Sequence, residues 1–231
     1  MRTIGLLGGM SWESSVEYYR IINEEVRNRL GGTHSAKSVM YSVDFHEIEA
    51  LQHDNEWDAL TESMIDAARK VQAAGGDCLV ICTNTMHKMA DAVQAAIDIP
   101  LIHIADATAD AVKKADVEAV ALLGTRFTME GDFYRGRLAD KHGLDVRVPA
   151  EEARQTVHRV IYDELVQGVI NEDSRRQYLE MVEELVAAGC NGVIAGCTEI
   201  ELLVQPGHVD VPYFPTTRIH ATAAVEWALA D

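Results

Sequence analysis

The chain has 231 residues, of which 48% are hydrophobic and 25% are charged, a balance typical of globular proteins of one large domain or two ordinary ones. Its 37 acidic and 20 basic residues give a formal net charge of −17, which disfavours nucleic acid and anionic membranes as partners. The four cysteines lie in apolar segments, and their spacings match neither a disulfide framework nor a common zinc site. Because the first residues also lack the pattern of an export signal, we expect a cytoplasmic protein without a metal.

Strands and helices alternate along the first half of the chain, each marked by its apolar period and its glycine or polar boundaries. The predicted elements are a strand at 3–7, a helix at about 11–30, a strand at 39–43, a loop with a short helical turn at 44–53, an amphipathic helix at 57–74, a strand at 79–82, a helix at 88–96, a strand at 101–104 and a helix at 106–114.

The second half, which begins near Glu118, continues the alternation. Its predicted elements are a strand at 119–123, a helix at 128–140, a strand at 145–148, helices at 151–166 and 173–188, strands at 192–195 and 211–214, and a last helix at 217–230. Alternating strands and helices predict an α/β fold with mainly parallel sheets.

Two stretches of the chain repeat. The apolar run that ends in Thr83-Asn84-Thr85 resembles the run that ends in Cys197-Thr198-Glu199, at an offset of 197 − 83 = 114 residues. The segments around Gly8 and Gly124 repeat at nearly the same offset, 124 − 8 = 116. The repeat predicts a duplicated unit, in two pseudo-symmetric α/β domains of three layers each.

The polar residues of the repeats follow buried strands. Ligands of parallel sheets bind at the carboxyl ends of the strands, so we expect these residues to line a ligand site. If the two halves face one another, one cleft between the domains holds the active site. The residues concerned are those at 8–10, 83–85, 125–126 and 197–199.

Other nucleotide and hydrolase motifs are poorly matched. The segment Gly5-x-x-Gly8-Gly9 lacks the Gly-x-Gly-x-x-Gly spacing of a dinucleotide site, so a tight turn is the better interpretation than NAD binding. Neither a P-loop sequence nor a Gly-x-Ser-x-Gly nucleophile motif is present.

Cys197 is the cysteine whose position predicts a reactive thiol. It lies where a buried strand meets polar loop residues, a position that exposes a thiol and, beside a helix N-terminus, favours the thiolate. Cys78, Cys82 and Cys190 instead fit inert packed residues. His87, four residues after Thr83, fits a capping or packing histidine as well as a catalytic one.

Four segments of the sequence resemble the PLP-independent aspartate/glutamate racemase family, and the resemblance spans nearly the whole chain. The segments are Ile4-Gly-Leu-Leu-Gly-Gly-Met-Ser-Trp-Glu-Ser14, Cys82-Thr-Asn-Thr-Met-His87, Leu122-Leu-Gly-Thr-Arg126 with Tyr134-Arg135, and Gly196-Cys-Thr-Glu199. The sequence is most similar to the bacterial branch that has broad specificity or prefers L-aspartate and L-glutamate. The resemblance implies two domains, an interdomain active site, an amino-acid substrate, no cofactor and a homodimer.

With this resemblance we expect a first domain of residues 1–105 and 208–231 and a second of residues 106–207. The resemblance assigns Thr83 and Cys197 as the proton-transfer residues. It also implies a set of substrate contacts, namely Met10, Gln52, Asn84, Thr85, Thr125, Thr198 and Glu199.

Most members of the family carry a cysteine on each side of the substrate, whereas this sequence has Thr83 at one of the two positions. Cys82 is one residue away, and a shift of one residue turns a strand side chain to the opposite face. We therefore expect Cys82 to lie in the core. As in the resembling branch, we expect a threonine and a cysteine, Thr83 and Cys197, to transfer the protons. The alternative is a catalytically impaired amino-acid-binding regulator on the same scaffold.

Overall fold

The computed structural model describes residues 1–230 and shows two compact units, one of residues 1–104 and 220–230 and the other of residues 105–219. Each unit has a parallel sheet flanked by helices, as the alternation of elements predicts. The strands are β1 (Ile4–Gly8), β2 (Ser38–Ser42), β3 (Cys78–Ile81), β4 (Ala119–Gly124), β5 (Asp145–Arg147), β6 (Gly192–Gly196) and β7 (Tyr213–Pro215).

The helices pack their apolar stripes on these strands. They are α1 (Trp12–Leu30), α2 (Phe45–His53), α3 (Trp57–Ala73), α4 (Ala90–Ala95), α5 (Ile104–Lys114), α6 (Arg126–Glu130), α7 (Glu151–Asp163), α8 (Glu172–Ala187), α9 (Ile200–Leu203) and α10 (Thr216–Leu229). Short 3₁₀ turns occupy Thr85–Met89, Leu165–Gln167 and Pro206–His208, and a π turn occupies Arg137–Lys141.

The first sheet has the order β2-β1-β3, and its central strand is buried on both faces. Ile4 and Leu6 pack against residues of α1 and α10 on one face, whereas Leu7 packs against α3 on the other. Side chains alternate across a strand, so β1 and β3 need apolar residues at every position. Their continuous apolar sequences are explained by this three-layer arrangement.

The second sheet has the order β5-β4-β6-β7. Leu123 of β4 and Ala195 of β6 belong to a core that also contains Val157 of α7 and Val182 of α8. The strands are short, and the core is completed by the long apolar stripes of these two helices.

The duplication is visible in the backbone. Strands β2-β1-β3 are repeated as β5-β4-β6, with all the pairings parallel. The amide of Leu79 donates to the carbonyl of Pro100 at 2.9 Å, and the amide of Val193 donates to that of Pro212 at the same distance. The second half extends this contact into the strand β7, whereas the first half forms a single bridge, Leu79 to Leu101.

Three predicted elements differ from the structure. The segment 44–53, predicted as a loop with a short helical turn, is the helix α2, which Asp44 caps by accepting a hydrogen bond from the amide of His46 at 3.0 Å. The strand predicted at 101–104 is reduced to that bridge, because α5 already begins at Ile104. The helix predicted at 128–140 is broken, because α6 ends at Glu130 and the backbone of its C-cap residue, Gly131, is extended. The chain resumes as a π turn at Arg137–Lys141.

The units also divide the chain differently from the expected domain limits. Residues 208–219 were expected in the first domain but lie with the second unit. The physical reason is that β7 pairs with β6, so its backbone hydrogen bonds belong to the second sheet. The chain returns to the first unit only within α10, at His220.

Candidate active site

In the first unit, polar residues follow two neighbouring strands. Leu7 of β1 is paired with Ile81 of β3, and the carbonyl of Leu7 accepts a hydrogen bond from Cys82 at 2.9 Å. The segments 8–10 and 83–85 therefore leave the same edge of the sheet side by side. Met10, Asn84 and Thr85 are buried there, and Thr83 is partly exposed.

Cys82 lies in the core, as the one-residue argument predicts. It has no exposed surface and belongs to the cluster that includes Val80 and Tyr18. Burial raises the pKa of its thiol, which disfavours the reactive thiolate. Thr83, not Cys82, is the residue that reaches the strand end with an accessible side.

His87 holds the turn that follows Thr83. Its Nδ1 lies 2.8 Å from the carbonyl oxygen of Thr83, and its Nε2 lies 3.3 Å from the amide nitrogen of Ile104. The residue is 2% exposed. The packing interpretation of His87 is therefore supported.

In the second unit, Gly124 of β4 is paired with Gly196 of β6, so Thr125 and Cys197 are the next residues of two adjacent strands. The Thr125 side chain caps α6, where its hydroxyl accepts a hydrogen bond from the amide of Thr128 at 3.3 Å. Thr125 is buried, whereas Cys197, Thr198 and Glu199 are each partly exposed.

Cys197 donates a hydrogen bond from Sγ to Oε2 of Glu199, 2.8 Å away. Burial of the thiol and the nearby Glu199 carboxylate raise the pKa of Cys197 well above its usual value. The expectation that this position favours the thiolate is therefore wrong for the resting protein. The physical reasons are burial, which is the larger cause, and the contact with the Glu199 carboxylate, both of which disfavour the charged thiolate.

Thr217, near the start of α10, forms hydrogen bonds with two residues that follow β6. Its hydroxyl donates to the hydroxyl of Thr198 at 3.2 Å, and its amide donates to Oε1 of Glu201 at 3.2 Å. Burial raises the pKa of Glu201 to about 7. Glu201 and Thr217 were not singled out from the sequence, although the repeat places Glu201 opposite His87, since 201 − 87 = 114.

Gln52 is carried by α2 and not by a strand end. It is 2% exposed. Its neighbour His53 is exposed on the helix, with Nε2 3.7 Å from Oε1 of Glu49. The structure thus gathers Met10, Thr83, Asn84 and Thr85 at one sheet edge and Thr125, Cys197, Thr198 and Glu199 at another, with Gln52 on a helix.

Within residues 1–230, no group of three or more acidic, histidine or cysteine side chains is arranged to hold a metal ion. None of the helices formed by these residues has the length and apolar character needed to cross a bilayer. The cysteines at 78, 82, 190 and 197 are all free thiols.

Residues 7–224 match the family model described as Asp/Glu/Hydantoin racemase. The chain belongs to this family. A curated relative, the broad specificity amino-acid racemase RacX of Bacillus subtilis (strain 168), is 21% identical over 236 residues, covering 98% of each chain. The racemase interpretation of the sequence is confirmed, and membership favours it over the regulator.

Solved structures agree with this assignment. A protein from Yersinia pestis described as a candidate Asp/Glu racemase is 51% identical and has a TM-score of 0.94, with 100% of both chains covered. An aspartate racemase homologue from Pyrococcus horikoshii OT3 is 32% identical, with a TM-score of 0.87 and the same full coverage. The racemase therefore shares both sequence and complete fold with these proteins.

Proposed function

We propose that this racemase inverts aspartate, glutamate or a related small amino acid at Cα without a cofactor, with Cys197 and Thr83 as its two proton-transfer residues. One observation carries the proposal. The two residues occupy the same position of the duplicated unit: Cys197 follows β6 directly, and Thr83 follows β3 after the single residue Cys82. Cys197 is also in contact with a carboxylate that can take its proton.

Glu199 explains how a thiol with a raised pKa acts as a base. Its carboxylate accepts the Sγ–H proton across the 2.8 Å hydrogen bond, and the thiolate so formed removes the proton from Cα of the L-amino acid. The electron pair of the broken C–H bond stays on the substrate and spreads into its α-carboxylate. Glu199 is thus proposed to act on Cys197 in addition to the substrate contact expected from the sequence.

Thr83 completes the inversion. Its hydroxyl gives a proton to the opposite face of Cα and is reprotonated through solvent by the proton that Glu199 has taken, so that all groups return to their starting state. The developing charge on the α-carboxylate is stabilised by hydrogen-bond donors, for which we propose Asn84, Thr85 and Thr198. The remaining substrate contacts in this proposal are Met10, Gln52 and Thr125.

The two halves of the reaction are unequal because a threonine hydroxyl is a far weaker acid than a thiol. The enantiomers have equal free energy in water, so kcat/KM must be the same in both directions. The difference between the two proton-transfer residues therefore makes kcat and KM differ between the L-to-D and D-to-L directions, and it affects any slow step between turnovers.

The names of the relatives support the amino-acid substrate. The Pyrococcus protein is called an aspartate racemase homologue, and RacX is described as having broad specificity. The choice between an acidic and a neutral side chain rests on Gln52, whose amide offers hydrogen bonds without a positive charge.

A panel of L- and D-amino acids in deuterium oxide tests the function. Proton NMR measures the loss of the Cα–H signal, and a chiral assay measures the second enantiomer. We expect both for aspartate or glutamate with metal-free, cofactor-free protein. Binding without exchange for every member of the panel would refute the proposal.

We also propose that the racemase is a cytoplasmic homodimer. Free thiols suit a reducing compartment. Along α1 and the edge strand β2, Trp12 is 65% exposed and Tyr19 is 53% exposed beside a groove of about 510 Å³. A second copy of the chain would remove this apolar surface from water.

Sedimentation velocity tests the dimer with two matched variants. Tyr19→Glu places a charge in the groove and should give monomers. Ile170→Glu alters another apolar residue, 42% exposed, and should leave the dimer intact. A wild-type protein that sediments as a monomer at assay concentration would contradict the dimer.

A further inference from the structure

We propose that His87 is a positioning residue for Thr83, whose backbone it holds in place through a hydrogen bond from Nδ1–H to the Thr83 carbonyl. This inference rests on the proposed role of Thr83 in proton transfer. Its basis is a pair of hydrogen bonds to one imidazole ring, a comparison of the two repeats, and the packing around the ring.

The two partners of His87 determine its tautomer. A carbonyl oxygen only accepts, so Nδ1, 2.8 Å from the Thr83 oxygen, must carry the proton. A backbone amide only donates, so Nε2, 3.3 Å from the Ile104 nitrogen, must be without one. The ring is therefore neutral and links the end of β3 to the first residue of α5.

The second repeat contains one of these two bonds and not the other. Glu201 is the counterpart of His87, and its Oε1 accepts the amide hydrogen of Thr217 as Nε2 of His87 accepts that of Ile104. The carbonyl of Cys197 instead accepts the backbone amide hydrogen of Ile200, at 3.2 Å. The bond to the helix is therefore common to both halves, whereas the bond to the proton-transfer residue belongs to the threonine side.

The His87 ring is itself held by neighbouring rings. Its centroid lies 4.7 Å from that of His103 and 5.5 Å from that of His220. His220 donates from Nε2 to the carbonyl of Ile102 at 2.6 Å and accepts at Nδ1 from the Tyr18 hydroxyl at 2.8 Å. This packing leaves the ring little freedom, so the bond to Thr83 transmits a defined position to its backbone.

Accurate placement matters most on the side with the weaker acid. A displacement of about 1 Å can lower a rate by about a hundredfold. A hydroxyl that gains little from its intrinsic acidity depends strongly on its distance and angle to Cα. The extra bond therefore occurs where the chemistry gains most from it.

Two substitutions of similar size separate the two bonds. The amide nitrogen of asparagine falls near Nδ1, so His87→Asn keeps a donor for the Thr83 carbonyl and loses the acceptor for Ile104. The amide of glutamine reaches the place of Nε2, so His87→Gln keeps the acceptor for Ile104 and loses the donor for Thr83. If His87 only anchored α5, the asparagine variant would be the more impaired of the two in inversion.

The readout is the ratio of inversion to Cα–H exchange for the L-amino acid in deuterium oxide. We expect His87→Gln to lower inversion about ten- to a hundredfold while exchange through Cys197 falls much less. His87→Asn should restore the ratio towards that of the wild type. Equal ratios in the wild type and His87→Gln would overturn the inference, as would a lower ratio in His87→Asn than in His87→Gln.

Tyr18→Phe is the matched control, because it removes a hydrogen bond from the same ring cluster without touching Thr83. It should lower thermal stability and leave the ratio unchanged, because the hydrogen bonds of His87 to Thr83 and Ile104 and the aromatic ring at position 18 remain. NMR of wild-type protein with ¹⁵N-labelled histidine gives a test that needs no variant to fold: a proton on Nε2 of His87 instead of Nδ1 would refute the inference. Absence of exchange in the wild type would refute the proposed function, whereas normal wild-type exchange with an unaltered ratio in His87→Gln would refute only the role of His87.

Discussion

The end of β3 and the end of β6 occupy the same place in the duplicated unit but carry different chemistry. After β6 comes a thiol that donates a hydrogen bond to Glu199 at 2.8 Å. After β3 comes a hydroxyl without an acidic partner in the corresponding position, since Thr85 stands where Glu199 stands in the repeat, 199 − 85 = 114. The thiol side is equipped to change protonation state, and the threonine side to hold a position.

What the two ends keep in common is their scaffold. In each, a side chain four residues after the proposed proton-transfer residue accepts the amide hydrogen of a helix start: His87 with Ile104, and Glu201 with Thr217. This anchor holds the strand end beside a helix start in both halves. The two halves differ in the proposed proton-transfer group, which is a hydroxyl in one and a thiol in the other.

The largest effect is expected on the thiol side. Cys197→Ala should lower both exchange and inversion about 100- to 10,000-fold, the contribution typical of a general base. Cys197→Ser, of nearly the same size, should remain slow because a hydroxyl is a poor base at neutral pH. Both rates are measured by NMR and chiral analysis. Cα–H exchange at the wild-type rate in Cys197→Ala would show that the base lies elsewhere.

Changing the threonine side tests whether the halves are truly unequal. Thr83→Ala should lower inversion about a hundredfold and keep part of the exchange of the L-amino acid. Thr83→Cys should raise racemisation in both directions, because it supplies a second thiol. The measurement is kcat and KM from each enantiomer. A folded, substrate-binding Thr83→Cys protein no faster than wild type would contradict the assignment of Thr83.

Removing the charge beside Cys197 has a smaller effect of known sign. The Glu199 carboxylate raises the pKa of the thiol, so Glu199→Gln should lower that pKa and make Cys197 react with iodoacetamide at lower pH. Turnover should nevertheless fall about tenfold or more, since the acceptor of the thiol proton is lost. Glu201→Gln, which removes a weaker influence on the same thiol, should shift the alkylation profile less. An unchanged profile in Glu199→Gln would disprove the contact.

The last expected effect concerns protein stability at the threonine side and leaves the reaction itself unchanged. Burial lowers the pKa of His220 to about 4, below its ordinary 6.5, so the unfolded chain takes up a proton that the folded chain refuses. The stability that results is fully present above about pH 6.5 and is lost as pH falls towards 4, up to about 3 kcal/mol. Urea unfolding of His220→Gln should show a weaker dependence on pH across this range. His53→Gln, a change at an exposed histidine, should follow the wild type.

Several elements could be predicted from the sequence for a definite physical reason. Strands β1, β3, β4 and β6 are buried on both faces, which requires continuous apolar runs that are easily recognised. The strand expected at 101–104 has a similar composition but forms a single bridge, because α5 begins at Ile104 and leaves few extended residues. The apolar pattern of this segment did not show where the helix begins.

The candidate site divides in the same way. Placing Thr83 and Cys197 at strand ends, and Cys82 in the core, required only the repeat and the alternation of side chains. The ionisation of Cys197 was predicted wrongly, because the sequence shows that Glu199 is two residues away but not that its carboxylate turns onto the thiol. The boundary at residues 208–219 was missed because β7 joins β6 across the chain.

The sequence by itself determined the α/β class, the duplication, the family and the two proton-transfer candidates, since each depends on residue type and spacing along the chain. The tertiary structure decided which groups touch them: Glu199 on Cys197, and His87 between Thr83 and Ile104. Hydrogen bonds and pKa values depend on distances of a few ångströms between side chains and backbone. Those distances are set by packing and by rotamers, which periodicity does not encode.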